Sequence, residues 1–271
     1  MKKLRSIALL IICALLFAPA APSQVRSRAV KKDAEDQKFK VLFIGNSYTY
    51  FNNLPDLLSQ LAASGGKSTQ IEAEMITRGG ATLKMHWEDG NALKAIKQGR
   101  WDFIVLQEQS LLPINDPATM HNYARLFDAE IKKAGAKTVF FLTWARQNRP
   151  ETQTAITDAY AKIAKELNAL IVPVGLAWQN ALKENSKMVL HLPDQSHPNS
   201  TGSYLAACVF YSVLFARSPE NLTARIEGKS IKTDGRVNEE TSELVNLNKT
   251  DATFLQRIAW QTVKTMKEAR R

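Results

Sequence analysis

The chain has 271 residues, 45% of them hydrophobic and 8% aromatic. That suits one soluble domain with a substantial core, or one domain with a decorated tail. The formal charge of +10 is spread along the chain, with clusters at Lys31-Lys32 and from Lys264 to Arg271; no aromatic-interleaved basic motif accompanies it, so no nucleic-acid partner is expected.

The first residues read as an address. Lys2, Lys3 and Arg5 form a basic start, and Ile7 to Phe17 is an apolar run of about 11 residues. A bilayer span takes roughly 20 residues. Ala18-Pro19-Ala20 and Ala21-Pro22-Ser23 each offer a cleavage site. The expectation is a signal peptide over residues 1–23 and an exported protein, periplasmic or extracellular, with no stable membrane insertion after its removal. Cys13 follows Ile12, which is too large for a lipoprotein-type site, so lipidation is not expected. Removal leaves Cys208 as the sole cysteine, so the mature fold cannot depend on an internal disulfide. Cys208 sits in an apolar helical run and reads as a core residue.

Residues 24–38 are polar and read as a flexible lead-in to a single domain over 39–271, which ends in a helical extension. Lys40 to Ile44 reads as the first strand, running into Gly45-Asn46-Ser47. Leu54 to Ala63 has helical periodicity, with Pro55 near its start and Ser64-Gly65-Gly66 as a stop. Thr69 to Ile76 alternates as a strand does, Arg78-Gly79-Gly80 is a turn, and Trp87 to Lys97 is a short helix. Asp102 to Leu106 is a further strand, apolar after its first residue. Asp116 caps a helix from Pro117 to Ala134, closed by Gly135. Thr138 to Leu142 and Leu170 to Val174 are strands on either side of a helix over Glu151 to Leu167. Pro173 suggests that the last of these strands lies at a sheet edge. Gly202 to Phe215 is a helix, residues 219–250 are polar and mixed, and Asp251 to Ala269 is a final amphipathic helix.

Such alternation of strand and helix argues an α/β protein, with a parallel sheet of about five strands covered on both faces. Right-handed crossovers bring the strand C-termini to one edge, where ligands bind in such sheets. Ser47, Gly80, Gln107 and Thr143 all follow expected strand ends.

Two segments carry chemistry. A serine in the turn after Gly45-Asn46 exposes its hydroxyl at the sheet edge. Far along the chain, Pro193-Asp194-Gln195-Ser196-His197-Pro198-Asn199 places a carboxylate and an imidazole in one loop. Ser47 as nucleophile, His197 as base and Asp194 as the acid that orients it make a hydrolytic triad. Acyl transfer also needs donors for an oxyanion. Candidates are the Ser47 N–H, the Gly80 N–H and a side-chain amide from Gln107 or Gln109. In an extended chain both glutamines point to one side and Glu108 to the other. Alternation therefore does not choose between them; Gln107 is nearer the strand end and is favoured. Glu108 is either a supporting acid or paired on the opposite side. His86 and His121 read as structural or exposed, and His191 as a residue lining the pocket. No His, Asp and Glu set has metal spacing, so a metalloenzyme is not expected.

These residues resemble the SGNH/GDSL-type hydrolases. Gly45-Asn46-Ser47 resembles that family's first block. Gly79-Gly80-Ala81-Thr82 resembles the second, which supplies the oxyanion glycine, and Asp194-Gln195-Ser196-His197 matches its Asp-x-x-His block. The resemblance spans about residues 39–216 and implies a flavodoxin-like three-layer α/β/α sandwich, a serine nucleophile and cofactor-free ester hydrolysis. Two blocks depart from the pattern. Asn46 stands where many relatives have Asp, and Leu106-Gln107-Glu108-Gln109-Ser110 stands where Gly-x-Asn-Asp is usual. The glutamine is similar to the Gln-Gly-Glu block of carbohydrate O-acetylesterase branches and leans the substrate towards small acyl, above all acetyl, esters on a glycan. The competing readings are a non-catalytic glycan-binding module on the same fold, and a lipase or phospholipase, against which the lack of a long apolar lid speaks.

Overall fold

The computed structural model describes residues 37–232 and 234–268. The expected signal segment and all but the end of the lead-in lie outside the described residues.

Five strands form a parallel sheet: β1 (Gln37–Gly45), β2 (Thr69–Thr77), β3 (Phe103–Leu106), β4 (Lys137–Phe141) and β5 (Leu170–Val172). Their order is β2-β1-β3-β4-β5, the doubly wound order of flavodoxin-like folds. β1 lies between β2 and β3, and Val41, Leu42, Phe43 and Ile44 are all fully buried. A strand covered on both faces needs such an unbroken apolar run. Val41 and Phe43 pack into one core layer, Leu42 and Ile44 into the other. The register pairs Ile44 with both Ile76 and Leu106. Consequently Gly45, Thr77 and Leu106 end at about one level, and the loops after them share one edge.

Among the described residues the α-helices are α1 (Ser47–Tyr50), α2 (Leu54–Ser64), α3 (Leu83–Asp89), α4 (Asn91–Gln98), α5 (Leu112–Asn115), α6 (Pro117–Lys133), α7 (Gln153–Leu167), α8 (Val174–Glu184), α9 (Ser200–Leu214) and α10 (Lys249–Glu268). The first core layer is built with α2, α8, α9 and α10, the second with α3, α4, α6 and α7. These elements form an α/β/α sandwich. Cys208 is fully buried in α9, where burial pushes its thiol pKa up; it is a core residue, as its apolar run suggested.

Several elements differ from the sequence reading. β1 begins at Gln37, two residues inside the expected lead-in, because Gln37 and Lys38 pair with Thr69 and Gln70 of β2. The single helix expected over Trp87 to Lys97 is two helices. Gly90 takes φ +75° between them, and α3 begins at Leu83, with Thr82 Oγ1 accepting from Met85 N at 3.2 Å. β5 is at the sheet edge, but it stops at Val172; Pro173 and Val174 belong to the start of α8, which the sequence reading missed. The tract over 219–250 holds an antiparallel hairpin, β6 (Arg225–Ile231) and β7 (Val237–Asn246). It rests on the start of α2, with Asn53 Nδ2 donating to Lys229 O at 2.8 Å and Gln60 Nε2 to Glu227 O at 2.7 Å. The final helix packs on α8 and α9 through Ala252, Leu255, Ile258, Ala259 and Val263.

Candidate active site

Ser47 sits where β1 turns into α1. At Gly45 an added Cβ would lie 2.5 Å from Gln107 Oε1 and 2.7 Å from Thr49 Oγ1, so only glycine lets the strand end close against Gln107. Asn46 caps the helical turn: its Oδ1 accepts from Tyr48 N at 3.1 Å, and its Nδ2 donates to Ala81 O at 3.0 Å, tying this turn to the β2–α3 connection. Helical periodicity in the sequence starts only at Leu54. The structure begins a helical turn at Ser47 itself, so the nucleophile candidate is its first residue. Ser47 is buried with 8% of its surface exposed, enough for its hydroxyl to meet a small electrophile.

The loop before α9 brings the partners. Ser47 Oγ lies 2.8 Å from His197 Nε2, and His197 Nδ1 lies 2.5 Å from Asp194 Oδ2. Asp194 Oδ1 also accepts from Ser196 N and His197 N, each at 2.9 Å. Burial alone would raise the Asp194 carboxyl, but the hydrogen bond from His197 and those from the two backbone N–H groups outweigh it and hold the pKa down at about 2. An ionised carboxylate only accepts, so His197 Nδ1 carries the proton and the neutral imidazole leaves Nε2 to accept from Ser47 Oγ–H. The three residues expected to act together are together.

Several supporting residues escaped the sequence reading. Phe51 stacks on the His197 ring at 4.4 Å and 13°, while Tyr48 meets it edge-on at 5.7 Å and 76°. Tyr48 Oη and Ser196 Oγ share a 2.7 Å hydrogen bond. Trp144 Nε1 donates to Ser196 O at 3.0 Å. Asn52 takes φ +53° and donates from Nδ2 to Pro198 O and Ser203 Oγ. Asparagine tolerates that left-handed backbone better than most residues, and the pair Asn52-Asn53 is the signal in the sequence that marks this turn.

Ser47 N and Gly80 N donate to no acceptor among the described residues, and Gly80 takes φ +68° in an open turn with nothing within 4 Å of an added Cβ. Gln107 must be withdrawn as the third donor. It is fully buried, its Nε2 donates to Asn46 Oδ1 at 3.0 Å and to Glu108 O at 2.6 Å, and its Oε1 accepts from Asn46 N and Thr49 Oγ1. Both its N–H groups are spent inside the fold. Gln109, the alternative, is half-buried; its Oε1 accepts from Leu111 N and Leu112 N, and its Nε2 donates to Ser110 Oγ at 3.3 Å, leaving one N–H.

Glu108 lies buried on the other side, accepting from Gln109 N at 2.7 Å and from Leu83 N at 3.2 Å; burial pushes its carboxyl up to about 7. His86 is buried with Nε2 against Gly45 O at 2.7 Å, and burial lowers its pKa; His121 is buried against Ala159 O. Both are structural. His191 packs edge-on to Trp178 at 4.6 Å and contacts Ala145 O at 3.2 Å, lining a neighbouring cavity.

No family model matches the chain, and no curated protein does. Solved structures do. A proposed SGNH hydrolase from Slackia heliotrinireducens is 26% identical over 66% of this chain and all of its own, with a TM-score of 0.56. A DUF4886 family protein from Bacteroides uniformis is 20% identical, covers 84% of this chain and 95% of its own, and has a TM-score of 0.62. An acetyl xylan esterase is 16% identical over 64% of this chain and 98% of its own, with a TM-score of 0.53. In fold, as in the order of its sequence blocks, this chain resembles the SGNH/GDSL-type hydrolases.

Proposed function

We propose that the protein is an exported serine esterase that removes small acyl groups, acetyl above all, from a carbohydrate carrier. The observation that carries the hydrolytic reading is the unbroken series Ser47 Oγ, His197, Asp194 at 2.8 and 2.5 Å. Ser47 Oγ attacks the ester carbonyl as its proton passes to His197 Nε2. Asp194 holds the ring and stabilises the imidazolium. The oxyanion is received by Ser47 N–H, Gly80 N–H and the remaining Gln109 N–H. His197 returns the proton to the leaving alcohol, and water repeats the sequence on the acyl-enzyme.

The lean towards a glycan carrier rests on the glutamine block, and an acetyl xylan esterase shares the fold. A lipase/acylhydrolase from Enterococcus faecalis shares it too, so chain length is the discriminating variable. Wild-type protein should hydrolyse p-nitrophenyl acetate faster than the palmitate and react with a fluorophosphonate probe. Ser47→Ala should abolish both while its far-UV spectrum is unchanged. Undiminished turnover in that variant rejects the nucleophile. Probe-silent wild-type protein that still binds glycan indicates the non-catalytic module instead.

A further inference from the structure

We propose that Phe51 is a positioning residue of the site: the face of its ring attracts the imidazolium that His197 becomes on taking the Ser47 proton. The catalytic consequence rests on the esterase reading above; the effect on His197 itself does not.

The geometry is that of a cation–π pair. The Phe51 ring lies 4.4 Å from the His197 ring, centroid to centroid, with 13° between their planes. A cation over an aromatic face, within about 6 Å of its centroid, is drawn to the negative side of the ring quadrupole. A neutral imidazole gains far less from the same contact. A stack also uses only the face of the imidazole. It leaves both in-plane nitrogens to their hydrogen bonds, Nδ1 with Asp194 and Nε2 with Ser47. Phe51 can therefore favour the protonated ring without competing for the atoms that carry the proton.

The Phe51 ring is held in place. Tyr50 stacks against it at 5.5 Å and 26°, and Tyr50 is itself only 2% exposed. Two turns back Tyr50: a Cβ added at Gly79 would lie 3.3 Å from its hydroxyl, and one added at Gly235 3.9 Å from its ring. The residues that follow Phe51 and His197 are tied to each other, with Asn52 Nδ2 donating to Pro198 O at 3.1 Å. The face is thus already over the imidazole when the charge forms, and no rearrangement is needed to meet it.

Two other titratable groups face His197. Asp194 supplies a carboxylate from the same loop. Tyr48 meets the ring edge-on from α1; burial raises its pKa from the ordinary phenol value, so it is neutral wherever an imidazole titrates. Substitution at Phe51 replaces neither.

NMR titration of the imidazole resonances, with no ester present, tests the proposal; the His197 signal is the one lost in His197→Gln. Phe51→Leu covers the imidazole with apolar atoms as before and removes the π face. His197 should then take up its proton about 0.4–1.5 pH units lower than in wild type. Phe51→Tyr keeps the face and should titrate as wild type does. If Phe51→Leu melts early, Phe51→Met takes its place. In the esterase assay the neutral imidazole is the base, so the acid limb of kcat/KM should move down with the titration. Plateau kcat should fall by a factor of about 3 to 10 at little-changed KM. Turnover that survives in Ser47→Ala would reject the esterase reading and leave the NMR titration to decide Phe51. A His197 titration that stays put or rises in Phe51→Leu, or that falls equally in Phe51→Tyr, overturns the proposal.

Discussion

The proton route from Ser47 depends on which nitrogen of His197 holds a hydrogen. Asp194, with its pKa held at about 2, is ionised across the working range and keeps that hydrogen on Nδ1. Asp194→Asn offers an N–H to the same nitrogen and reverses the tautomer, so Nε2 can no longer accept. Turnover should fall on the order of 10⁴-fold, with substrate affinity little changed; a drop below tenfold in steady-state rate would show that Asp194 does not set the tautomer. The two glutamines separate in the same way. Gln109→Ala removes the N–H assigned to the oxyanion and should lower kcat about 10²–10³-fold, well beyond what the loss of its bonds from Leu111 N and Leu112 N takes from stability, roughly 0.5–2 kcal/mol. Gln107→Leu strands the buried Asn46 N–H and Thr49 hydroxyl, and should cost stability, roughly 2–4 kcal/mol by denaturant unfolding. If Gln109→Ala is fully active and Gln107→Leu melts normally, the assignment is reversed. Nearness to the strand end favoured the wrong glutamine for a physical reason: β3 ends at Leu106, and Gln107 just after it is drawn into the fold by Asn46, Thr49 and Glu108.

At the scale of elements, Glu108 joins two segments. It accepts from Leu83 N at the start of α3 and from Gln109 N after β3, and Gly80 and Gln109 lie on those same two segments. In the unfolded chain its carboxyl ionises near pH ~4.3. In the folded protein it holds its proton up to about 7. The unfolded state therefore loses the proton first, stability falls as pH rises through that window, and the loss levels off above it. The melting temperature of Glu108→Gln minus that of wild type should climb between pH 4.5 and 7.5; a pH-independent difference would mean that Glu108 is not the group responsible. The same scale shows what the sequence reveals. The strands β1, β3 and β4 are legible because both their faces are buried, which leaves unbroken apolar runs. The β6–β7 hairpin is not, because of its residues only Ile226, Gly228, Leu244 and Val245 are buried, and with a glycine among them and the two of β7 adjacent, the apolar side chains set no period of two. Helix α8 was hidden by Pro173, which fits a strand edge and a helix start equally well. Phe51 and Tyr48 reach His197 across the fold, and no spacing in the chain announces that contact.

Across the whole molecule, the candidate site is where separate segments meet. Ser47 follows β1, Gly80 lies between β2 and α3, Gln109 follows β3, and the loop before α9 brings Asp194 and His197. A tetrahedral adduct on Ser47 would take hydrogen bonds from several of these at once and should bind them to one another. A ligand held only by the native state raises its stability. Labelling with a small fluorophosphonate should therefore raise the wild-type melting temperature by several degrees, as ~1 kcal/mol is worth about 2–4 °C in a protein of this size. The same reagent should leave Ser47→Ala where it was. Equal shifts in both proteins would place the adduct elsewhere.

The contact between Ser47 and His197 spans 150 residues, and it gives the site a place in time. As the chain is synthesised, the serine is made early, and its turn can form against Gln107 once β3 exists. The imidazole is still absent then, and so are Asp194 and the α9 end that holds their loop. A chain broken off before Asp194 bears a serine with no base to activate it. Hydrolytic competence would therefore belong only to a chain made through α9, and fragments ending before Asp194 would be inert towards esters.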